Sequence, residues 1–129
     1  MSAIPGAVRA IVLKRADGHC EGCGLFGPTE LHHRMFRSRG GKHDVSNLIA
    51  LHGSGNHSGC HGTAHSGYIG ESLGWSIRSG FDPLLVPVFR RVDATWWRFD
   101  DDGGKEQINA LTAIEYLVLI GAIREGVMR

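Results

Sequence analysis

The stretch LHGSGNHSGCHGTAHS, residues 51–66, contains four histidines and one cysteine in sixteen residues, separated by glycine, serine and asparagine. It has too few apolar side chains to form a core segment. All three cysteines and all eight histidines of the chain fall between residues 19 and 65. Histidines with purely structural roles would be scattered along the whole chain, so this clustering indicates metal binding.

Cys20 and Cys23 form a CxxC turn, which places two thiolates around one zinc ion. Cys60 is the third candidate ligand, and the fourth ligand is either His52 or His57. The competing interpretation is a redox pair, which would need a βαβ context that this sequence lacks. The spacing therefore predicts a structural Zn²⁺ site whose binding energy contributes directly to folding.

The remaining histidines indicate a second centre. His61 and His65 are four residues apart, so on a helix their imidazoles emerge on one face and can hold a single ion. His32 and His33 are adjacent in a predicted strand and point to opposite faces, so they should have different roles. One of them can bind the metal while the other faces a substrate or a hydrogen-bond partner.

The local pattern around these residues predicts an α+β fold. A helix is expected over residues 5–16, two strands over 29–36 and 45–51, and a helix over 60–70. The strands are joined by a basic glycine-containing loop, residues 37–44, and can pair as a hairpin.

The second half of the chain changes character. Strand composition appears at residues 74–78, 84–91 and 95–99, a turn at 100–104 and an apolar helix at 108–123. Within that helix, Thr112 and Glu115 have capping-box spacing. We expect residues 1–70 to form the metal-binding core and residues 71–129 to form an extension packed on it in one compact unit.

Composition limits the class of protein. The chain has 129 residues, 42% hydrophobic and 21% charged, with a net charge of +1. The first half has an excess of basic residues and the second half an excess of acidic ones, so a polyanion would favour the first half. The longest apolar run, residues 116–123, is too short to span a membrane. The N-terminal residues lack a signal-peptide pattern, so we expect a cytoplasmic protein.

Three segments together resemble the HNH nuclease family: CEGCG at 20–24, ELHHRMFRSRGGKHDVSNLIAL at 30–51, and CHGTAH at 60–65. The resemblance implies a ββα-metal (His-Me finger) core around a divalent cation, with a structural zinc site. Residues 67–91 and 96–104 resemble the tail of small HNH proteins of bacteriophages. That part implies a phage-type protein in a bacterial host cell, with phage terminase or packaging proteins as possible partners.

The resemblance implies a metal-dependent endonuclease that hydrolyses DNA phosphodiester bonds, with His33 as the general base that activates water. The catalytic ion, which is Mg²⁺, Mn²⁺, Ni²⁺ or Zn²⁺, would be held by His32, His61 and His65. Asn47 would tie the hairpin together and help to orient His33 through the backbone. Glu30, two residues before His32, would support the metal ligands from outside the coordination sphere.

Four basic residues surround the hairpin and are expected to contact the DNA backbone: Arg34, Arg37, Arg39 and Lys42. His19 and His43 have no assigned partner, and a surface position is expected for both.

The chain departs from the family pattern at the fourth zinc ligand. His52 stands five residues after Asn47, where the family usually has a cysteine, and His57 has the usual x-x spacing to Cys60. We prefer His52 because residues 52–59 are similar to a glycine-rich insertion, with His57 as the alternative. The alternative function is a non-catalytic zinc module that binds nucleic acid or protein. Such a module would not need His32, His33, His61 and His65 in addition to its zinc ligands.

Overall fold

The computed structural model describes residues 3–54 and 57–124 and has a mixed α+β architecture, as predicted. Its helices are α1 (Gly6–Ala16), α2 (Gly59–Ala64), α3 (Tyr68–Ser72) and α4 (Ala110–Leu119). Its strands are β1 (Glu30–His33), β2 (Leu48–Leu51), β3 (Val88–Arg90), β4 (Thr95–Phe99) and β5 (Lys105–Ile108). Short 3₁₀ turns occupy Arg37–Arg39 and Val45–Asn47.

Helix α1 begins after Pro5, whose fixed φ suits the entry to a helix. It ends at Asp17, which has a left-handed φ of 52° and donates its N–H to the carbonyl of Leu13 at 3.0 Å. Val12 is fully buried and packs with Leu48 and Ala50. The helix therefore covers one face of β2.

Strands β1 and β2 form the predicted antiparallel hairpin, in which Glu30 lies opposite Leu51 and His33 lies opposite Leu48. All four residues of β2 are completely buried. One face of the strand packs on α1, and the other, with Ile49 and Leu51, packs on the core of the C-terminal extension. Burial on both faces explains why β2 reads as an unbroken apolar run rather than an alternating one.

The helix predicted over residues 60–70 is instead two short helices. Helix α2 ends at Ala64, with His65 as its C-cap, and α3 starts only after Gly67. Gly67 has a φ of 50°, a left-handed conformation that interrupts the helix and that glycine adopts without strain.

The extension contains a three-stranded antiparallel meander in the order β3–β4–β5. Strand β5, KEQI, has too polar a composition to have been identified from its sequence. Of the segment 74–78, only Ile77 forms a bridge, to Met35. Helix α4 is capped by Asn109, whose Oδ1 accepts from the N–H of Thr112 at 2.8 Å, so the predicted capping box starting at Thr112 is wrong.

The extension and the metal-binding half share a hydrophobic core. Trp75, Val88 and Phe99 from the extension pack with Ile49 and Leu51 of β2, and the same cluster contains Cys20 and Cys60. Among the described residues, no helix has both the length and the apolarity needed to cross a bilayer.

Candidate metal centres and active site

Three cysteines and one histidine converge at the base of the hairpin. The ligand atoms of Cys20, Cys23, His52 and Cys60 all lie within 4.8 Å of one another. Nδ1 of His52 is 3.4 Å from Sγ of Cys23. The alternative ligand, His57, is exposed and lies outside this group.

Backbone hydrogen bonds hold these ligands in place. The N–H of Glu21, between the two knuckle cysteines, donates to the carbonyl of Ala50 in β2 at 2.8 Å. The N–H of His61 donates to the carbonyl of His52 at 3.0 Å, which fixes His52 against the start of α2. The CxxC turn, β2 and α2 therefore bring together ligands that are up to forty residues apart in sequence.

The pKa values of Cys20 and Cys60 are shifted in opposite directions. A hydrogen bond from the Cys60 thiol lowers the pKa of Cys20 to about 4. The pKa of Cys60 is raised, chiefly by the same hydrogen bond and then by burial. Three sulfurs and one imidazole form a donor set that fits tetrahedral zinc, because the thiolate is the ligand form of cysteine.

A second group lies between β1 and α2. The ligand nitrogens of His32, His61 and His65 all lie within 4.8 Å of one another. Nε2 of His32 donates to the carbonyl of Trp75 at 2.8 Å, so its Nδ1 keeps the lone pair. Nδ1 of His61 donates to Oε1 of Glu30 at 2.7 Å, so its Nε2 keeps the lone pair. Outer hydrogen bonds of this kind orient metal-binding histidines.

Burial favours the neutral forms of His32 and His65. It lowers the pKa of His32, which is 3% exposed, to about 3, and it also lowers the pKa of His65. The charge of His61 lowers both values further. Neutral imidazole is the form that binds a metal.

His33 lies beside this group but does not belong to it, as expected for the next residue of a strand. Its Nε2 lies 3.0 Å from Nδ1 of His43, and the two rings are tilted by 49°. Burial is the main cause that lowers the pKa of His33 to about 4, followed by the charges of His43 and Arg37. The expectation that His43 would be a bare surface histidine is wrong, and nothing in the sequence pattern indicated its contact with His33.

Asn47 is buried and closes the loop between the strands. Its Oδ1 accepts from the N–H of Met35 at 2.7 Å, and its Nδ2 donates to the carbonyls of Met35 and Lys42 at 3.1 and 3.0 Å. The side chain thus joins the end of the β1 segment to the far end of the basic loop. Any influence of Asn47 on His33 passes through this backbone.

The four basic residues have different environments. Arg37 and Lys42 are exposed, whereas Arg39 is half-buried and donates to Ser76 Oγ and the carbonyl of Ile77, both at 3.1 Å. The prediction that Arg34 contacts DNA is wrong, because Arg34 is completely buried. Its guanidinium donates to four backbone carbonyls, those of Ser46, Gly74, Pro83 and Val86.

The second histidine group opens into a depression of about 180 Å³. Phe36 forms part of its wall and stacks on His65 with the ring centroids 4.8 Å apart. His33 and Arg37 lie on the same wall. A phosphate group in the depression would meet the histidine group, His33 and a permanent positive charge together.

The hairpin and α2 hold the three-histidine cluster beside a knuckle of three cysteines and one histidine. The family model described as HNH endonuclease matches residues 20–67 of the chain. The matched range contains both metal-ligand groups, His33 and Asn47. No curated protein and no solved structure matches the chain.

Proposed function

We propose that the protein is a metal-dependent endonuclease that hydrolyses phosphodiester bonds in DNA. The observation that carries the proposal is the convergence of three histidines next to His33, namely His32, His61 and His65. This cluster is separate from the first group, which consists of three cysteines and His52. A non-catalytic zinc module would need only the first group of ligands.

The donor set of the second group fits a divalent cation, because it offers three imidazoles and because Glu30 and the Trp75 carbonyl orient two of them. A cation held by His32, His61 and His65 would stabilise negative charge that develops on the non-bridging and leaving 3′ oxygens. Zn²⁺ would be held by Cys20, Cys23, Cys60 and His52, as a structural ion.

His33 is the general base of the proposed reaction. Its low pKa keeps the imidazole neutral and able to accept a proton at neutral pH. His33 takes the proton from a water molecule as that water attacks phosphorus, and the bond from phosphorus to the 3′ oxygen breaks. Arg37, which lines the depression, and Lys42, which is exposed in the same loop, hold the phosphate backbone.

The test is a cleavage assay on plasmid DNA with Mg²⁺, Mn²⁺ or Ni²⁺. We expect the wild-type protein to nick or cut the plasmid and EDTA to abolish the activity. His33→Ala should lose activity while keeping its fold and its zinc, because His33 is half-buried and belongs to neither metal group. His57→Ala, an exposed histidine outside both groups, is the matched control and should cleave normally. Undiminished cleavage by His33→Ala would refute the assigned base, and no cleavage by wild type would favour the non-catalytic zinc module.

A bacteriophage-type origin and a partnership with terminase or packaging proteins rest on the resemblance alone. A cytoplasmic location rests on the lack of a signal-peptide pattern in the N-terminal residues, and all three assignments stay predictions. Co-purification of a tagged chain with DNA-packaging proteins from infected cells would test the partnership.

A further inference from the structure

The loop between β1 and β2 is built so that its last residues return to the proposed base. Asn47 clamps Met35 at one end of the loop and Lys42 at the other. His43, which follows Lys42 directly, is thereby held with its Nδ1 3.0 Å from Nε2 of His33. Because Asn47 is buried, this placement is a property of the fold rather than of a loose surface loop.

The contacts among Arg37, His43 and His33 determine which ring nitrogens of the two histidines carry protons. Nη1 of Arg37 lies 3.2 Å from Nε2 of His43. A guanidinium can only donate, so Nε2 of His43 must accept. A neutral imidazole has one donor and one acceptor, so His43 carries its proton on Nδ1 and donates it to Nε2 of His33.

The inference rests on the proposed function, in which neutral His33 accepts a proton from water. Neutral His33 has a single lone pair, and the N–H of His43 covers it. A covered lone pair cannot take a proton from water. The DNA-free arrangement therefore withholds the base.

We infer that His43 is a positioning residue that masks His33 until a DNA phosphate binds Arg37. Phosphate is a stronger acceptor for a guanidinium than a neutral imidazole nitrogen is. Once Arg37 turns to the phosphate, Nε2 of His43 no longer accepts a hydrogen bond from Arg37. His43 then loses its Nδ1 proton to solvent and gains one from solvent on Nε2, with no net change of charge. Its Nδ1 stops donating, and the lone pair of His33 becomes available to the attacking water.

The direct test is nitrogen NMR of the imidazole tautomers in zinc-loaded protein without a catalytic cation, so that DNA is not cut. In the DNA-free protein, we expect His43 and His33 both to carry the proton on Nδ1. Addition of a short DNA duplex should move the His43 proton to Nε2. A His43 proton already on Nε2 without DNA, or a tautomer that DNA leaves unchanged, would overturn the inference.

Two loop variants distinguish specific control of the His43 tautomer by Arg37 from a general effect of positive charge. Arg37→Ala and Lys42→Ala each remove one exposed positive charge from the same loop. Only Arg37→Ala should shift the His43 tautomer in the absence of DNA. Equal spectra for both variants would show that Arg37 does not control His43.

Cleavage kinetics provide a second measurement. His43→Phe keeps an aromatic ring but has no N–H to cover His33. We expect its kcat/KM to rise by roughly two- to ten-fold, the factor that corresponds to one ordinary hydrogen bond. An unchanged or lower kcat/KM would reject the masking role. The NMR measurement needs no catalytic activity, so a failure of the proposed nuclease function would be distinguished from a failure of this inference.

Discussion

Arg34 and Arg37 lie three residues apart in one basic segment, yet they have opposite environments. Arg34 is completely buried and donates to backbone carbonyls from the hairpin and the extension, whereas Arg37 is exposed beside the histidine depression. Buried carbonyls need a donor, and a guanidinium can serve several of them at once. Arg34 is therefore a structural cross-link between the two halves of the chain.

Replacement of Arg34 should damage stability rather than DNA binding. We expect Arg34→Ala to lower the free energy of unfolding by at least about 3 kcal/mol, because buried carbonyls lose their donor. Arg37→Ala, as the control, should change it by less than about 0.5 kcal/mol and weaken DNA binding instead. Urea unfolding of zinc-loaded protein and a DNA-binding titration measure the two effects. Equal stability of the two variants would contradict the structural role of Arg34.

The pKa of His33 predicts the acid side of the pH profile. Burial lowers this pKa from about 6.5 to about 4, so the neutral form that acts as a base persists below pH 6.5 and is lost only as the pH falls towards 4. We expect kcat/KM for plasmid nicking to keep its neutral-pH value at pH about 6 and to decline below that. A decline centred on the ordinary histidine pKa of about 6.5 would show that burial does not govern the base.

At the scale of elements, the connection between β2 and α2 decides which histidine joins the zinc group. Gly53 has a φ of 110°, and a Cβ at this position would lie 2.0 Å from the carbonyl oxygen of Ser58. Gly59 has a φ of 63°, and a Cβ there would lie 2.7 Å from the carbonyl oxygen of His52. The two glycines let the chain close tightly, with His52 next to Cys60 and His57 on the outside.

This geometry predicts different zinc contents for two single variants. His52→Ala should bind zinc more weakly and unfold at a lower temperature, since a Cys₃His site loses one ligand. His57→Ala should retain one equivalent of zinc and the wild-type melting temperature. Zinc analysis after dialysis, combined with thermal unfolding, measures both properties. The opposite result, with zinc lost only from His57→Ala, would place the fourth ligand at His57.

At the scale of the whole molecule, the group of three cysteines and His52 shares one hydrophobic cluster with the extension. Trp75 is fully buried, and its ring packs in the cluster that contains Cys20 and Cys60. Its Nε1 donates to the carbonyl of Phe89 at 2.9 Å, and its own carbonyl accepts from His32. One residue of the extension thus contacts the environments of both metal groups.

Truncation of Trp75 should therefore affect stability and zinc retention together. Trp75→Ala should lower the free energy of unfolding by about 3–5 kcal/mol, as expected for a large aromatic removed from a core. It should also speed the loss of zinc to a chelator. Trp97→Ala is the control, because Trp97 packs against the same cluster but is only partly buried. Chemical unfolding and a colorimetric zinc-release assay compare the two, and equal losses for both would argue against a special role of Trp75.

Local sequence patterns were sufficient to predict the hairpin, α1 and the general position of α4, because the periodicities of strands and helices are visible within a few residues. They were insufficient for the break at Gly67, for β5 and for the Asn109 cap. The spacing of His61 and His65 predicts a continuous helix and does not indicate the break at Gly67, two residues after His65. The polar residues of β5 pair only because β4 supplies a partner.

The sequence by itself determined that the chain would contain a CxxC knuckle, two separate groups of candidate metal ligands and an HNH-like ββα unit. The reason is that the number and spacing of cysteines and histidines set which ligand sets are possible. Only the tertiary structure decided that His52 rather than His57 joins the cysteines, that Arg34 is buried and that His43 contacts His33. Each of these depends on backbone groups from distant segments, and short-range spacing contains no information about which of them will pack together.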